Sequence, residues 1–155
     1  MITKHPSPRM GTNDDILVQR AIAYLIDGII LGIGLGGIFA VGSVLGGLLA
    51  DVHGLLGLIV LGLAFLIGGG FFVYYIYLME GHLGRTVGKA VMGLVVVGED
   101  GSQCTYGQSV IRNLLWIVDG LGFFPVIVAL IVFITEDNQR VGDMVAKTVV
   151  VEARE

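Results

Sequence analysis

Long uninterrupted runs of hydrophobic residues dominate the chain, and charged residues are largely confined to the segments between them. Residues 16–50 carry only two charges, Arg20 and Asp27, and residues 54–79 carry none. A helix needs about 20 apolar residues to cross the roughly 30 Å hydrocarbon core of a bilayer. The pattern therefore predicts two full transmembrane helices, over residues 16–50 and 55–79.

A third apolar run covers residues 113–135, but helix-breaking residues interrupt its centre. Asp119-Gly120 is followed by Gly122 and Pro125, and glycine and proline favour a turn over a continuing helix. Two interpretations remain open: a single crossing, or a hairpin of two half-helices that returns the chain to its starting side. Non-helical backbone at membrane depth requires burial in protein or contact with a wet cavity.

Short β-branched runs between the apolar segments predict a small sheet. Residues 94–97 lead into the turn sequence 98–101 and then residues 102–105, a pattern typical of a β-hairpin. Residues 148–151 form a matching run in the tail. The predicted fold is an all-α polytopic membrane protein with two full helices, a third broken segment, and a small cytoplasmic β-hairpin or three-stranded sheet.

The basic residues predict the orientation of the chain. The nine Lys and Arg residues fall in three groups of three, near the first helix, within residues 80–112, and in the tail, whereas the link 51–54 has none. Basic residues accumulate on the cytoplasmic side. We therefore expect a multi-pass protein of the cell (plasma) membrane with the N-terminus and loop 80–112 in the cytoplasm. The hairpin interpretation is favoured because it also keeps the basic tail inside.

Length and composition support one membrane domain. Hydrophobic residues make up 55% of the 155 residues and only 14% are charged, against about 25% in soluble domains. The first apolar run is too long for a signal peptide. Residues 1–15 are predicted to be a flexible cytoplasmic N-terminus, residues 16–151 a single membrane domain, and residues 152–155 a tail.

Composition also argues against several classes of function. The net charge of −4 disfavours binding to nucleic acid. The chain has a single cysteine, Cys104, and three scattered histidines without metal-ligand spacing. No nucleophile–base pair or nucleotide loop is recognisable. We expect neither a metal nor another cofactor, and no enzymatic activity.

One pattern recurs at the start of two apolar runs: Arg, an aromatic residue four positions later, Asp after seven, then Gly. Arg20 and Asp27 form the first copy, and Arg112 and Asp119 form the second. Seven residues fall only about 20° short of two helical turns, so Arg and Asp share a face. An ionisable group inside a membrane costs about 2.5–3.5 kcal/mol on insertion scales. These four residues are therefore candidates for transport or ion coupling.

The role of the arginine in this repeat has two interpretations. Arg20 either anchors the helix at the lipid headgroups or pairs with a buried carboxylate such as Asp27. In a transport mechanism Asp27 binds the proton or cation, and Asp119 is its counterpart at similar depth.

Glycine forms a stripe on the first helix. Gly28, Gly32 and Gly36 repeat every four residues, a spacing that lets another helix approach closely. We expect helix packing at this stripe, including contact with a second copy of the chain or another membrane protein.

The loop 80–112 contains a basic pair, Arg85 and Lys89, four residues apart. The favoured interpretation is an interfacial turn that faces lipid phosphates. The alternative is that these cations approach Asp119 or Asp143.

Taken together, these motifs resemble the RDD family of prokaryotic integral membrane proteins, over a stretch from about Arg20 to Val151. The resemblance is carried by Arg20 with Asp27, residues 84–89, residues 93–97, Asp100-Gly101, Arg112, residues 139–143 and residues 148–151. The family is named for an Arg and two Asp. Arg20 and Asp27 match the first two, and Asp143 fits the third better than Asp119, so Asp143 is a further candidate for ion coupling.

The resemblance implies a transport role, with sodium/proton antiport proposed for some members and control of a membrane partner for others. Our first hypothesis is transport of a cation or small solute, with H⁺ or Na⁺ as the ions in question. Two or three helices cannot enclose a pathway, so transport requires an oligomer or a subunit role. The alternative is a non-catalytic scaffold or regulator that binds another membrane protein.

Overall fold

The computed structural model describes residues 5–12, 16–120 and 141–154, the side chains of residues 116–120 excepted. Contacts divide the chain into two compact units. Met1–Ile26 and Ile76–Glu155 form the first, which we call the sheet unit. Asp27–Tyr75 forms the second, which we call the helix-pair unit.

Two long apolar helices are present, as predicted. Helix α1 spans Leu17–Val52, and helix α2 spans Gly54–Val73. Both Leu17–Val52 and the stretch Gly54–Leu83 are long and apolar enough to cross a membrane. The second helical stretch passes its predicted end at residue 79, because a π-helical turn, Tyr74–Leu78, leads directly into a short helix α3, Met79–Leu83.

Glycines bring α1 and α2 together within the helix-pair unit, although not the glycines of the predicted stripe. A Cβ added at Gly57 would lie 2.6 Å from Ala50 Cβ, and one at Gly46 would lie 2.9 Å from Leu61 Cγ. By contrast, a Cβ at Gly28, Gly32 or Gly36 would meet no atom within 4 Å among the described residues. Packing at that stripe therefore stays a prediction about partners outside the chain.

The predicted three-stranded sheet is confirmed, with one unexpected strand. Strands β1 (Ser7–Arg9), β2 (Leu94–Gly98) and β3 (Thr148–Arg154) form an antiparallel sheet in the order β1-β3-β2. Val95 pairs with Val151, and Pro8 pairs with Ala153. The tail therefore supplies the central strand. Within residues 1–15, expected to be flexible, Ser7–Arg9 form an edge strand.

The predicted hairpin partner of β2 is wrong beyond a single bridge. The turn forms, since Gly98 N donates to Ser102 O, but only Gln103 pairs back, with Val97. Thr105 instead caps helix α5, Tyr106–Gly120. Its hydroxyl accepts from Gln108 N at 3.2 Å, and Gln108 Oε1 accepts from Thr105 N at 3.0 Å. This reciprocal capping box starts a helix where a strand was expected.

Both faces of the sheet are buried, which explains the unbroken valine runs. Leu94, Val96 and Val150 pack on one face in a cluster with Ile16, Ala23 and Cys104. On the other face lie Val95, Val97, Val149 and Val151. Neighbouring residues of a strand point to opposite faces. A strand with two buried faces therefore needs an apolar residue at every position.

Two short helices complete the described elements. Helix α4, Val87–Val91, has Thr86 as its N-cap, and helix α6, Val141–Val145, precedes β3. The predicted apolar segment 113–135 begins within α5 but lies mostly outside the described residues. The choice between a single crossing and a hairpin therefore stays open at this point.

Candidate functional site

Five charged side chains are buried together inside the sheet unit. They come from five different helices and are each at most 5% exposed, namely Arg20 of α1, Glu80 of α3, Lys89 of α4, Arg112 of α5 and Asp143 of α6. Charged residues are almost never fully buried unless they are paired. We call this group the ion chain, because its members alternate in sign.

Arg112 is the centre of the ion chain and contacts a carboxylate on each side. Its Nη2 lies 2.7 Å from Asp143 Oδ1, and its Nε lies 3.5 Å from Glu80 Oε2. Asp143 accepts a second contact, from Arg20 Nη2, at 2.9 Å on Oδ2. Glu80 likewise pairs with Lys89 Nζ through Oε1. Each carboxylate is therefore shared between Arg112 and a cation of its own.

A glycine stands beside each carboxylate and allows its helix to approach α5. A Cβ at Gly81 would lie 2.7 Å from the Cα of Tyr106, and a Cβ at Gly142 would overlap the carbonyl oxygen of Arg112. Only glycine permits backbones to come this close. The sequence pairs Glu80-Gly81 and Gly142-Asp143 thus set both carboxylates against the central arginine.

The surroundings keep Arg112 charged. Burial acts to lower the pKa of its guanidinium, but Asp143 and then Glu80 outweigh burial and hold that pKa above its ordinary value. Asn113 Nδ2 also donates to Glu80 Oε2 at 3.0 Å. Hydrogen bonds and opposite charges offset the desolvation of buried ions. The ion chain is therefore a set of charges built to remain ionised.

A separate carboxylate lies in the helix-pair unit. Asp27 accepts a hydrogen bond of 2.6 Å from the hydroxyl of Tyr75, and the two residues are 7% and 4% exposed. Tyr75 belongs to the π-helical turn, and π-helical turns recur at functional sites. The Tyr75 ring packs against Phe71, with 5.9 Å between centroids, and Phe71 occupies the space beside Gly34.

The residues of the predicted repeat lie in different surroundings. Arg20 is buried on Asp143 rather than exposed at headgroups, and Arg112 contacts the same carboxylate. The two arginines of the repeat thus converge on the aspartate that sequence reasoning favoured as the third family residue. The side chain of Asp119 lies outside the described residues.

Arg85 and Lys89 are predicted to face lipid phosphates, but the structure buries both side chains. Arg85 is 5% exposed and Lys89 is 2% exposed. Lys89 pairs with Glu80, a residue that neither interpretation named. Lys89 Nζ also lies 5.7 Å from the centre of the Tyr24 ring. The cap at Thr86 begins α4 here, which turns Lys89 into the protein.

Sequence reasoning missed Glu80. A charge that ends an apolar run resembles a marker of the membrane boundary, and nothing in its own position indicates burial. Its neighbour was the available signal, because an acidic residue beside glycine recurs at Gly142-Asp143. Among the residues that the structure describes, no group of three or more His, Cys, Asp or Glu side chains is placed to hold a metal ion.

Comparison with known proteins gives one match. The model of the RDD family matches residues 16–147 of this chain, a range that contains the whole ion chain and Asp27. No curated protein and no solved structure matches the chain.

Proposed function

The chain belongs to the RDD family of membrane proteins, and we propose that it transports a cation or small solute across the cell membrane, with Asp27 as the ion-binding group. Exchange of Na⁺ for H⁺ is the specific form of this hypothesis. The observation that carries it is a carboxylate buried in an apolar helix and bound by a neutral hydroxyl. Ionisable residues within a membrane helix usually mark ion pathways or proton relays.

The ion chain is a poorer candidate for the transported ion. Glu80 and Asp143 each contact two cationic side chains. A transported cation would have to displace a guanidinium or an ammonium group from a buried pair, which is strongly unfavourable. Asp27 instead accepts a hydrogen bond from a neutral hydroxyl, which a small cation can displace. We therefore propose that the ion chain stabilises the fold and that Asp27 binds the transported ion.

Transport by this chain requires further helices. The two candidate spans among the described residues cannot surround an ion pathway by themselves, so the proposal includes an oligomer or a partner subunit. Gly28, Gly32 and Gly36 are exposed on α1, and stripes of small residues favour close contact between membrane helices. Replacement of Gly32 by Leu should then disrupt cross-linking between copies in the membrane, and an unchanged pattern would contradict this assignment.

The proposed orientation has the N-terminus and the tail in the cytoplasm. The sheet supports a common side, because β1, β2 and β3 come from the N-terminus, the central loop and the tail. A cysteine at Val52 should react with a membrane-impermeant thiol reagent from outside intact cells, after Cys104 is replaced by Ala. A cysteine at exposed Arg154 should react only after the cells are opened. Reaction at Arg154 in intact cells would overturn the orientation.

Ion flux in liposomes tests the function directly. Purified wild-type protein should exchange Na⁺ for H⁺, and Asp27→Asn should abolish the flux because it removes the charge and keeps the shape. Asp51→Asn is the matched control, since Asp51 lies exposed at the end of the same helix. Loss of flux in both variants, or in neither, would contradict the role of Asp27.

The second candidate function is that of a membrane scaffold or regulator. The exposed glycine stripe supports a scaffold function as well as it supports a transport oligomer, because the same face can bind a different membrane protein. Absence of flux in wild-type liposomes together with a stable partner that co-purifies, and that Gly32→Leu releases, would favour this second function.

A further inference from the structure

Helix α5 has the reverse of the polarity that is usual for a helix at a protein surface. Its polar residues Ser109 and Arg112 are buried, whereas Ile111 and Leu114 are 44% and 49% exposed. A surface helix of a protein in water turns its polar face outward and its apolar face to the core. The exposed face of α5 is therefore suited to apolar surroundings rather than to water.

The short helices α4 and α6 repeat this reversal. Lys89 and Asp143 are buried, while Val91 and Val145 are 66% and 60% exposed. A single exposed apolar residue is ordinary on any protein. The same reversal on each of these helices instead indicates a common apolar surface around the ion chain.

Helix α1 connects this surface to a candidate membrane span. Arg20 is buried on one face of α1, and the opposite face carries an exposed apolar stripe, namely Val18, Ile22, Leu25, Ile29 and Ile33. This stripe belongs to Leu17–Val52, which is long and apolar enough to cross a bilayer. Successive residues of a helix rise by about 1.5 Å, so the stripe begins at the level of Arg20.

The exposed charges of the sheet unit lie elsewhere. Among its described residues they occur only on strands and turns, at Arg9, Glu99, Asp100, Lys147, Glu152 and Arg154. The described surface of the sheet unit is thus divided into a charged part, formed by strands and turns, and a part without exposed charges, formed by helices.

We propose that lipid acyl chains cover the helical part of this surface, so that the ion chain lies at the level of the acyl chains while the charged turns lie in water. Lipid is favoured over a protein partner because the apolar stripe on α1 runs from this surface into a membrane span. The first turns of α5, which the sequence places in a cytoplasmic loop, then contact the membrane. The proposal does not rest on ion transport.

Tryptophan fluorescence of the full chain in liposomes tests this contact. Trp116, the single tryptophan, is first replaced by Phe, and Ile111→Trp then provides the probe. Lipids with brominated acyl chains should quench its fluorescence, whereas iodide in the water should not. Glu99→Trp is the matched control, because Glu99 is exposed in a turn, and it should show the reverse response.

The two quenchers also distinguish the other occupants of this surface. Quenching by iodide at position 111 would show that α5 faces water, and protection from both quenchers would show that a second copy or another protein segment covers it. Either result would overturn the proposal. If Ile111→Trp does not fold, Val145→Trp on α6 replaces it, with the same quenching by brominated lipids expected.

Discussion

Two buried aspartates of this protein have opposite surroundings. Asp143, in the sheet unit, lies between two guanidinium groups at 2.7 and 2.9 Å. Asp27, in the helix-pair unit, accepts a hydrogen bond from the neutral hydroxyl of Tyr75. Fixed cations hold a carboxylate in one charge state, whereas a hydroxyl can yield to a mobile ion. The comparison separates a carboxylate held between fixed cations from the one that we propose exchanges an ion.

Loss of Asp143 should give the largest effect on stability. Asp143→Asn leaves Arg20 and Arg112 facing a neutral group, and breaking a buried pair from one side costs about 3–5 kcal/mol. The free energy of unfolding in micelles measures the loss. Glu152→Gln is the control, because its exposed pair with Arg9 is worth only about 0–1 kcal/mol.

A double variant sharpens this result. Arg20→Gln together with Asp143→Asn removes one charge of each sign and restores the net charge of the ion chain. We expect the double variant to be more stable than Asp143→Asn alone. Strictly additive losses would show that Arg20 and Asp143 do not act as a pair.

Much of this architecture could be predicted from the sequence, because apolar runs and β-branched runs report burial directly. The two long helices and the pairing of the tail with residues 94–98 follow from such runs. Strand β1 could not be predicted, since Ser-Pro-Arg has no strand pattern and forms a strand only by pairing with the edge of β3 opposite β2. The spacing of Thr105 and Gln108 is that of a capping box, but the hairpin prediction places Thr105 in a strand.

The candidate site was predictable only in part. Arg20 and Arg112 stand out by rarity and spacing and Asp143 by the family resemblance, whereas their partnership depends on how distant helices pack. The interpretation in which Arg20 pairs with Asp27, one of two left open, relied on their proximity along one helix. The structure instead joins Arg20 to a residue 123 positions away, and only the tertiary contacts of α6 determine that choice.

Replacement of Gly142 should have the next largest effect on stability. A Cβ there would overlap the Arg112 carbonyl, so Gly142→Ala should push α6 from α5 and cost about 1–3 kcal/mol of stability. Gly107→Ala on α5 is the control, because a Cβ there meets no described atom within 4 Å. Equal stabilities of the two variants would show that α6 does not need this close approach.

Replacement of Tyr75 tests the proposed exchange of an ion at Asp27. Tyr75→Phe removes a donor from a buried carboxylate, which then binds a cation more tightly. A hydrogen bond to a charged group contributes about 1.5 kcal/mol or more, so KM for Na⁺ should fall about tenfold. The maximal flux should fall as release slows. Tyr74→Phe is the matched neighbour, and a raised KM at position 75 would indicate structural damage instead.

The smallest expected effect concerns Cys104, which reports how well the sheet unit excludes water. Burial raises the pKa of its thiol from 9.0 to about 11. Only the thiolate reacts, so the shift lowers the reactive fraction at neutral pH about a hundredfold. Maleimide should label native protein slowly and unfolded protein quickly. The rate should rise with pH up to about the raised pKa, and fast labelling of native protein at neutral pH would contradict a sealed core.

The position of β3 as the middle strand has a consequence for synthesis of the chain. Strand β1 and Arg20 emerge from the ribosome early, whereas their partners, β3 and Asp143, follow more than 120 positions later. Strand β2 also pairs with β3 and not with β1. The sheet unit therefore cannot be completed until β3 is made, and a nascent chain that stalls before residue 141 exposes two unpaired strands, which quality-control proteases can recognise.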